Sequence, residues 1–264
     1  MCRLLAYLGE PIPLENLILK PEHSLVVQSY QPKELEFALL NADGFGVGWH
    51  HPEDPTADPF VYRNVLPIWN DANLPHLCRY IQTRSFVANV RSATPGLPLD
   101  FSNCQPFRHG RWLFVHNGYI EQFRQTLYRP MRDLIGDIAY QNIYGLTDSE
   151  HIFALITHLL EMRPQLGIRG ALEQAVEMIE DLANKYDVRV SGVIILSDGQ
   201  RLVAARFDNR DKAPSFYLLR QPQGMILASE PLFEADWEPL DQAHSLTVAA
   251  SDLYPHIHGF SCAS

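Results

Sequence analysis

The sequence is short of basic charge, of cysteine and of uninterrupted apolar stretches. Lys and Arg number 21 against 31 Asp and Glu over 264 residues, a formal net charge of −10. Nucleic acids and anionic membranes are held by a positive field, so no nucleic-acid partner and no membrane partner is expected, though a local basic site is compatible with this balance. Apolar runs such as 193–196 fall far below the roughly 18 residues that cross a bilayer. The four cysteines, Cys2, Cys78, Cys104 and Cys262, form no C-x-x-C pair and read as reduced thiols. The close histidine pairs, His50-His51 and His256-x-His258, have no cysteine pair at zinc spacing beside them; they read as solvated loop histidines, and no metal is expected. Repeats and low-complexity linkers are also missing. The opening apolar run ends at Glu10-Pro11 without a small-residue cleavage site, so a signal peptide is not expected and the expected location is cytoplasmic.

What is present is core-forming material: 46% hydrophobic and 11% aromatic residues, enough for a large interior. Leu4 to Leu8, Phe45 to Trp49, Phe60 to Tyr62, Phe86 to Arg91 and Trp112 to His116 read as strands, with a helix over Asn73 to Ile81 between the third and fourth. Glycines at 44, 46 and 48 mark a strand where another backbone comes close. Two helical patterns follow, Ser149 to Met162 and Ile168 to Tyr186, parted by Pro164 and Gly167; Thr147 or Asp148 suits the cap of the first. Further strands are expected over 189–196, 201–207, 216–220, 225–228 and 246–249, with a hairpin turn at Ser197-Asp198-Gly199-Gln200. The Pro-rich stretch 52–59 reads as a surface loop. Strands, two helices and strands again predict one α+β domain over residues 1–264.

Cys2 is the informative position. On position alone it is a small apolar residue at the start of a strand. If Met1 is removed, the same residue carries a thiol and a free α-amine whose pKa, roughly 7.7–8.0, suits a general base for its own side chain. Arg91-Ser92-Ala93-Thr94 follows one strand, His116-Asn117-Gly118 ends another, and Thr147-Asp148-Ser149-Glu150 opens a helix. Alone, Arg91 reads as a surface ion pair, Asp148 as a helix cap and Asn-Gly as a turn.

With Cys2 these segments, in this order, resemble the class II glutamine amidotransferases of the N-terminal-nucleophile hydrolase superfamily. The resemblance implies a four-layer αββα sandwich of two antiparallel sheets, with Cys2 attacking the carbonyl of a γ-glutamyl amide. Asn117 (side-chain amide) and Gly118 (backbone N–H) would form the oxyanion hole. Arg91, assisted by Thr94, would bind the substrate's α-carboxylate and Asp148 its α-ammonium. No cofactor is implied. A γ-glutamyl group presents one anion, one cation and one amide carbonyl, and these residue types answer each of them. The glycine-rich strand at 43–49 would wall the pocket, and Cys104 would be a buried thiol without a catalytic role. Pro95-Gly96 replaces the His-Gly of synthase-type members, which leaves the shape of that loop open.

Strands over 189–249 are needed to complete the sheets, so a synthetase domain is not expected. Met1-Cys2-Arg3-Leu4-Leu5, the glycine-rich strand, Arg91-Ser92-Ala93-Thr94 and Ala228-Ser229-Glu230-Pro231-Leu232 place the resemblance in the stand-alone branch, which includes the γ-glutamyl hydrolases of ergothioneine biosynthesis acting on γ-glutamyl-hercynylcysteine sulfoxide. That substrate is the expected one. The alternatives are a glutaminase subunit passing ammonia to a separate chain, a glutathione-type γ-glutamyl peptidase acting with a partner, and a non-catalytic scaffold. A homo-oligomer or a separate partner enzyme is compatible with each. Loops 50–59, 64–75 and 95–110 are expected to read the far end of the substrate; Trp49, Trp69 and Tyr119 are expected in the core, with the far side of the pocket as the other option.

Overall fold

The computed structural model describes residues 2–34, 40–54, 56–93 and 99–260. In chain order the elements are β1 (Arg3–Pro13), α1 (Glu15–Ile18), α2 (Leu25–Tyr30), β2 (Phe45–Trp49), β3 (Phe60–Asn64), α3 (Leu74–Tyr80), β4 (Gln82–Val90), β5 (Phe107–His109), β6 (Trp112–Ile120), α4 (Tyr128–Arg132) and α5 (Asp137–Gln141). Then come α6 (Asp148–Met162), α7 (Gly167–Tyr186), β7 (Val190–Ser197), β8 (Arg201–Asp208), β9 (Tyr217–Gln221), β10 (Gly224–Ala228), β11 (Glu238–Pro239), β12 (His244–Ala249) and β13 (Asp252–Gly259).

The strands form two sheets in which every pairing is antiparallel, one ordered β11-β9-β10-β1-β4-β2-β3 and the other β13-β12-β8-β7-β6-β5. Three apolar clusters define four layers. Leu4, Ala6, Leu8, Val87, Leu113, Val115, Val193 and Ile195 fill the gap between the sheets. Leu5, Tyr7, Phe45, Phe86 and Val90 pack outward under α1, α2 and α3. Phe114, Ile194 and Val203 pack outward under α6 and α7, where the Phe114 and Phe153 rings stack 4.9 Å apart. Both faces of the central strands are therefore buried, which is why Leu4 to Leu8 reads as a continuous apolar run and not as an alternation. The αββα expectation holds, and the strands over 189–249 do complete both sheets.

Local chemistry accounts for the ends of several elements. Thr147 caps α6, its side chain accepting from the Glu150 N–H, so of the two expected caps Thr147 is the one used. α3 is not opened by the Asn73 side chain; the Asp71 carboxylate accepts from the N–H groups of Asn73 and Leu74 instead. The expected hairpin turn joins β7 to β8, with Gly199 at φ +83° and the Asp198 carboxylate accepting from the Gln200 and Arg201 N–H groups.

Two expectations are corrected. His50 is buried: its Nε2 lies 3.1 Å from Ser197 Oγ, and burial pulls its pKa down to about 4. His256 and His258 are exposed but belong to β13, an edge strand. Among the described residues no helix is long and apolar enough to cross a membrane.

Candidate active site

Cys2 lies immediately before β1, partly buried and not in a disulfide. The alternation that sends Leu4, Ala6 and Leu8 into the gap between the sheets gives Cys2 the same side. The register Arg3↔Val90 makes Arg91 the next residue across from Cys2. Arg91 is almost fully buried and is held by the turn before β2: its N–H donates to the Gly44 carbonyl at 2.9 Å, its carbonyl accepts from Asp43 N–H at 3.0 Å, and its Nη1 donates to the Asp43 carbonyl at 3.2 Å. Among the described residues no carboxylate lies within ion-pair distance of its guanidinium, so it is free to take an anion. Thr94 lies outside the described residues.

Asn117 and Gly118 come from β6 in the facing sheet. Leu113 and Val115 point into the gap between the sheets, so Asn117 does too; it is fully buried and neither atom of its carboxamide has a partner among the described residues. In the ladder with β7, His116 and Ile120 turn their N–H groups toward the opposite edge. There His116 N–H meets Gln105 Oε1 at 2.5 Å and Ile120 N–H meets Asp148 Oδ2 at 2.8 Å. Gly118 sits midway with the same orientation, so its N–H points to that edge between two occupied donors. A side chain there is impossible: a Cβ on Gly118 would collide with the Ser191 carbonyl and the His116 ring.

Asp148, the first residue of α6, is half-buried and fastens α6 to the end of β6. Its Oδ1 accepts from the N–H and hydroxyl of Ser149, at 2.7 and 3.2 Å. Ser149 Oγ in turn lies 2.9 Å from His116 Nδ1, one residue before Asn117. Burial lowers the pKa of His116, against the opposing pull of the Asp148 charge. Three bonds leave the Asp148 carboxylate about one lone-pair direction for a further donor.

The glycine-rich strand has the close approach expected of it. A Cβ on Gly46 would strike the Gln105 carbonyl, and one on Gly48 would press on Leu113 and Pro106. Gln105 thereby reaches β6, where its side chain takes both backbone groups of His116, donating Nε2 to the carbonyl at 3.1 Å. Cys104 is a buried thiol as expected, its pKa pushed up by burial.

One residue of this end was not expected. Asn89 on β4 sits between Leu4 and Gly46, points into the same gap as Val87, is fully buried and, like Asn117, has a carboxamide without a partner among the described residues. A carboxamide between Ala88 and Val90 in a doubly buried strand is the sequence signal for it. The aromatic expectations divide. Trp49 is partly buried against the outer cluster, beside the exposed Phe60. Trp69 is 41% exposed and meets Tyr30 edge-on, and Tyr119 lies half-buried 5.8 Å from the Arg189 guanidinium, so neither is a core residue. A separate cleft of about 820 Å³ opens beside β3, β5 and α6, lined by Arg63, Phe101, Arg108, Tyr144 and Glu150 among others. Cys2, Arg91, Asn117, Gly118 and Asp148 do not line it, whereas Pro59, Phe101 and Arg108, from loops expected to read the far end of the substrate, do.

Residues 21–224 match the family described as class II glutamine amidotransferases. The chain belongs to that family. It is thus related to enzymes, and two curated relatives show how fully. The γ-glutamyl-hercynylcysteine sulfoxide hydrolase of Mycolicibacterium smegmatis is 29% identical, over 94% of this amidotransferase and 96% of the relative. A protein of the same name from Mycobacterium tuberculosis is 30% identical over 94% and 93%. A solved class II glutamine aminotransferase domain protein from Silicibacter pomeroyi superposes with a TM-score of 0.73 at 30% identity, over 98% of this chain and all of that one. The glutamine phosphoribosylpyrophosphate amidotransferase of B. subtilis, at 13% identity, TM-score 0.68 and half of its own length, shows the shared fold.

Proposed function

We propose that this amidotransferase hydrolyses a γ-glutamyl amide, with Cys2 as nucleophile once Met1 has been removed. Cys2 Sγ attacks the γ-carbonyl while its thiol proton passes to the α-amine. The oxyanion is received by the Asn117 side-chain N–H and the Gly118 backbone N–H. The C–N bond then breaks as the amine returns the proton to the leaving nitrogen. Water, deprotonated by the same amine, cleaves the γ-glutamyl thioester and releases glutamate. Arg91 and Thr94 take the substrate's α-carboxylate and Asp148 its α-ammonium. A single observation carries this reading: the fully buried, unpartnered Asn117 carboxamide faces the same gap, at the same end, as Cys2. A scaffold protein has no use for that arrangement, because a buried polar group without a partner costs about 1–3 kcal/mol.

The substrate we propose is γ-glutamyl-hercynylcysteine sulfoxide, which gives the two mycobacterial relatives their name and fits their match over nearly whole chains. The test is to incubate processed protein with glutamine, glutathione and the γ-glutamyl thio-histidine sulfoxide, reading free glutamate. Preference for the sulfoxide supports the proposal. Preference for glutamine makes the chain an ammonia source, and preference for glutathione a peptidase.

A further inference from the structure

The residue after Cys2 is an arginine with no exposed surface. Leu5 and Tyr7 point into the outer cluster, so Arg3 points that way too, away from the gap that Cys2 faces. There it meets Glu230, just beyond β10 and equally buried, with Arg3 Nε 2.9 Å from Glu230 Oε1. The guanidinium also donates to the carbonyl of Cys2 at 3.2 Å and to that of Glu34 at 3.1 Å. Glu230 in turn gathers its surroundings: Oε2 lies 2.6 Å from His23 Nε2 and accepts from Lys33 N–H at 2.9 Å, and Oε1 accepts from Glu34 N–H at 3.1 Å. One residue along, Leu4 N–H donates to Ser229 Oγ at 2.9 Å and Ser229 N–H to the Leu4 carbonyl at 3.0 Å.

A buried ion pair adds little net stability over apolar residues of similar size, so stability alone is a poor reason to place one here. Chain ends fray unless tied, and the reacting atoms of an N-terminal nucleophile lie on the first residue of the processed chain. A misplacement of about 1 Å lowers a rate by about 10²-fold.

Resting on the reading of Cys2 as nucleophile, we propose that Arg3 and Glu230 are positioning residues, which lock the Cys2 carbonyl and so aim its amine and thiol at the substrate. They touch neither substrate nor reacting atoms. Two variants test this in processed protein: Arg3→Lys, which keeps the charge but loses the fork, and Arg3→Met/Glu230→Gln, which removes both charges together and keeps one acceptor oxygen, enough for one of the two N–H groups of Lys33 and Glu34. The readouts are thermal melting, kcat and KM for whichever γ-glutamyl compound of the panel is cleaved fastest, and the rate at which iodoacetamide alkylates Cys2, followed by peptide mass. The expected result is cooperative melting, a fall in kcat of about tenfold or more in the double variant and a smaller fall in Arg3→Lys, with KM little changed. Alkylation should slow in step with kcat. Parental kcat in folded double variant, or a loss confined to KM, overturns the proposal; should the double variant fail to fold, parental kcat and alkylation in Arg3→Lys overturn it. Cys2→Ala assayed alongside separates the two claims. If that variant still turns over, the reading of Cys2 falls; if it is dead while the Arg3 and Glu230 variants are unaffected, only the positioning role falls.

Discussion

Both ends of the sandwich bury polar side chains and treat them in opposite ways. At the far end from Cys2, Ser85 Oγ on β4 lies 2.9 Å from Ser197 Oγ on β7, Ser197 Oγ is 3.1 Å from His50 Nε2, and Thr83 Oγ1 donates to the His50 carbonyl. This serine–histidine group stitches the sheets together, and its polar atoms are spent on one another. At the Cys2 end, Asn117 and Asn89 are as deeply buried but unpartnered, and Arg91 has no carboxylate among the described residues. The lesson is that residue type does not mark a site. A buried Ser–His pair can be a clip, while a carboxamide left without a partner is what a substrate carbonyl can use.

Mutation should separate the ends, and the largest effect belongs to Cys2. Cys2→Ala is expected to lower turnover by about 10⁴-fold or more with the melting temperature unchanged, as measured by glutamate release and calorimetry. Next comes Asn117→Leu, expected to lower kcat by about 10²–10³-fold. Because the carboxamide it removes has no protein partner, stability should be unchanged or higher, and denaturant titration checks this. Arg91→Lys should act on binding, raising KM about 10- to 100-fold through the loss of the planar fork, with kcat less affected.

The closed end should respond in stability alone. The pKa of His50, pulled down to about 4 by burial, lies below its unfolded value of roughly 6.5, so the unfolded chain binds the proton first. Its contribution is complete above about pH 6.5 and is lost as pH falls toward 4, at most about 3 kcal/mol. Stability measured across this window should flatten in His50→Gln, whose kcat at neutral pH stays parental. Ser197→Ala is the smallest change, costing about 1–2 kcal/mol and leaving kcat untouched.

Much of this comparison is legible in the sequence. α6 and α7 are long apolar patterns whose bounds agree with the expected ones to within one residue, whereas β1 runs five residues past Leu8 and β6 four past His116, so Asn117 and Gly118 lie inside a strand and not at its end. The short helices α1, α2, α4 and α5 have no pattern long enough to reveal them, and the exposed edge strand β13 carries little apolar signal. Cys2, Arg91, Asn117, Gly118 and Asp148 were nameable because the motifs carry them in order. Their juxtaposition depends on register between strands far apart in the chain, as does the pairing of Arg3 with Glu230, 227 positions away. His50 reads as a loop histidine for the same reason: its neighbour in sequence is solvated, and its partner Ser197 lies in the other sheet.

The central claim is that a chain beginning at Cys2 carries the γ-glutamyl group on its own sulfur during turnover. Acid-quenched protein, taken during steady-state turnover and analysed by peptide mass, tests this most directly. The account predicts an N-terminal peptide lacking Met1, part of it heavier by one γ-glutamyl group that is absent from Cys2→Ala. Fully active protein that retains Met1, or the γ-glutamyl mass on another residue, would contradict it.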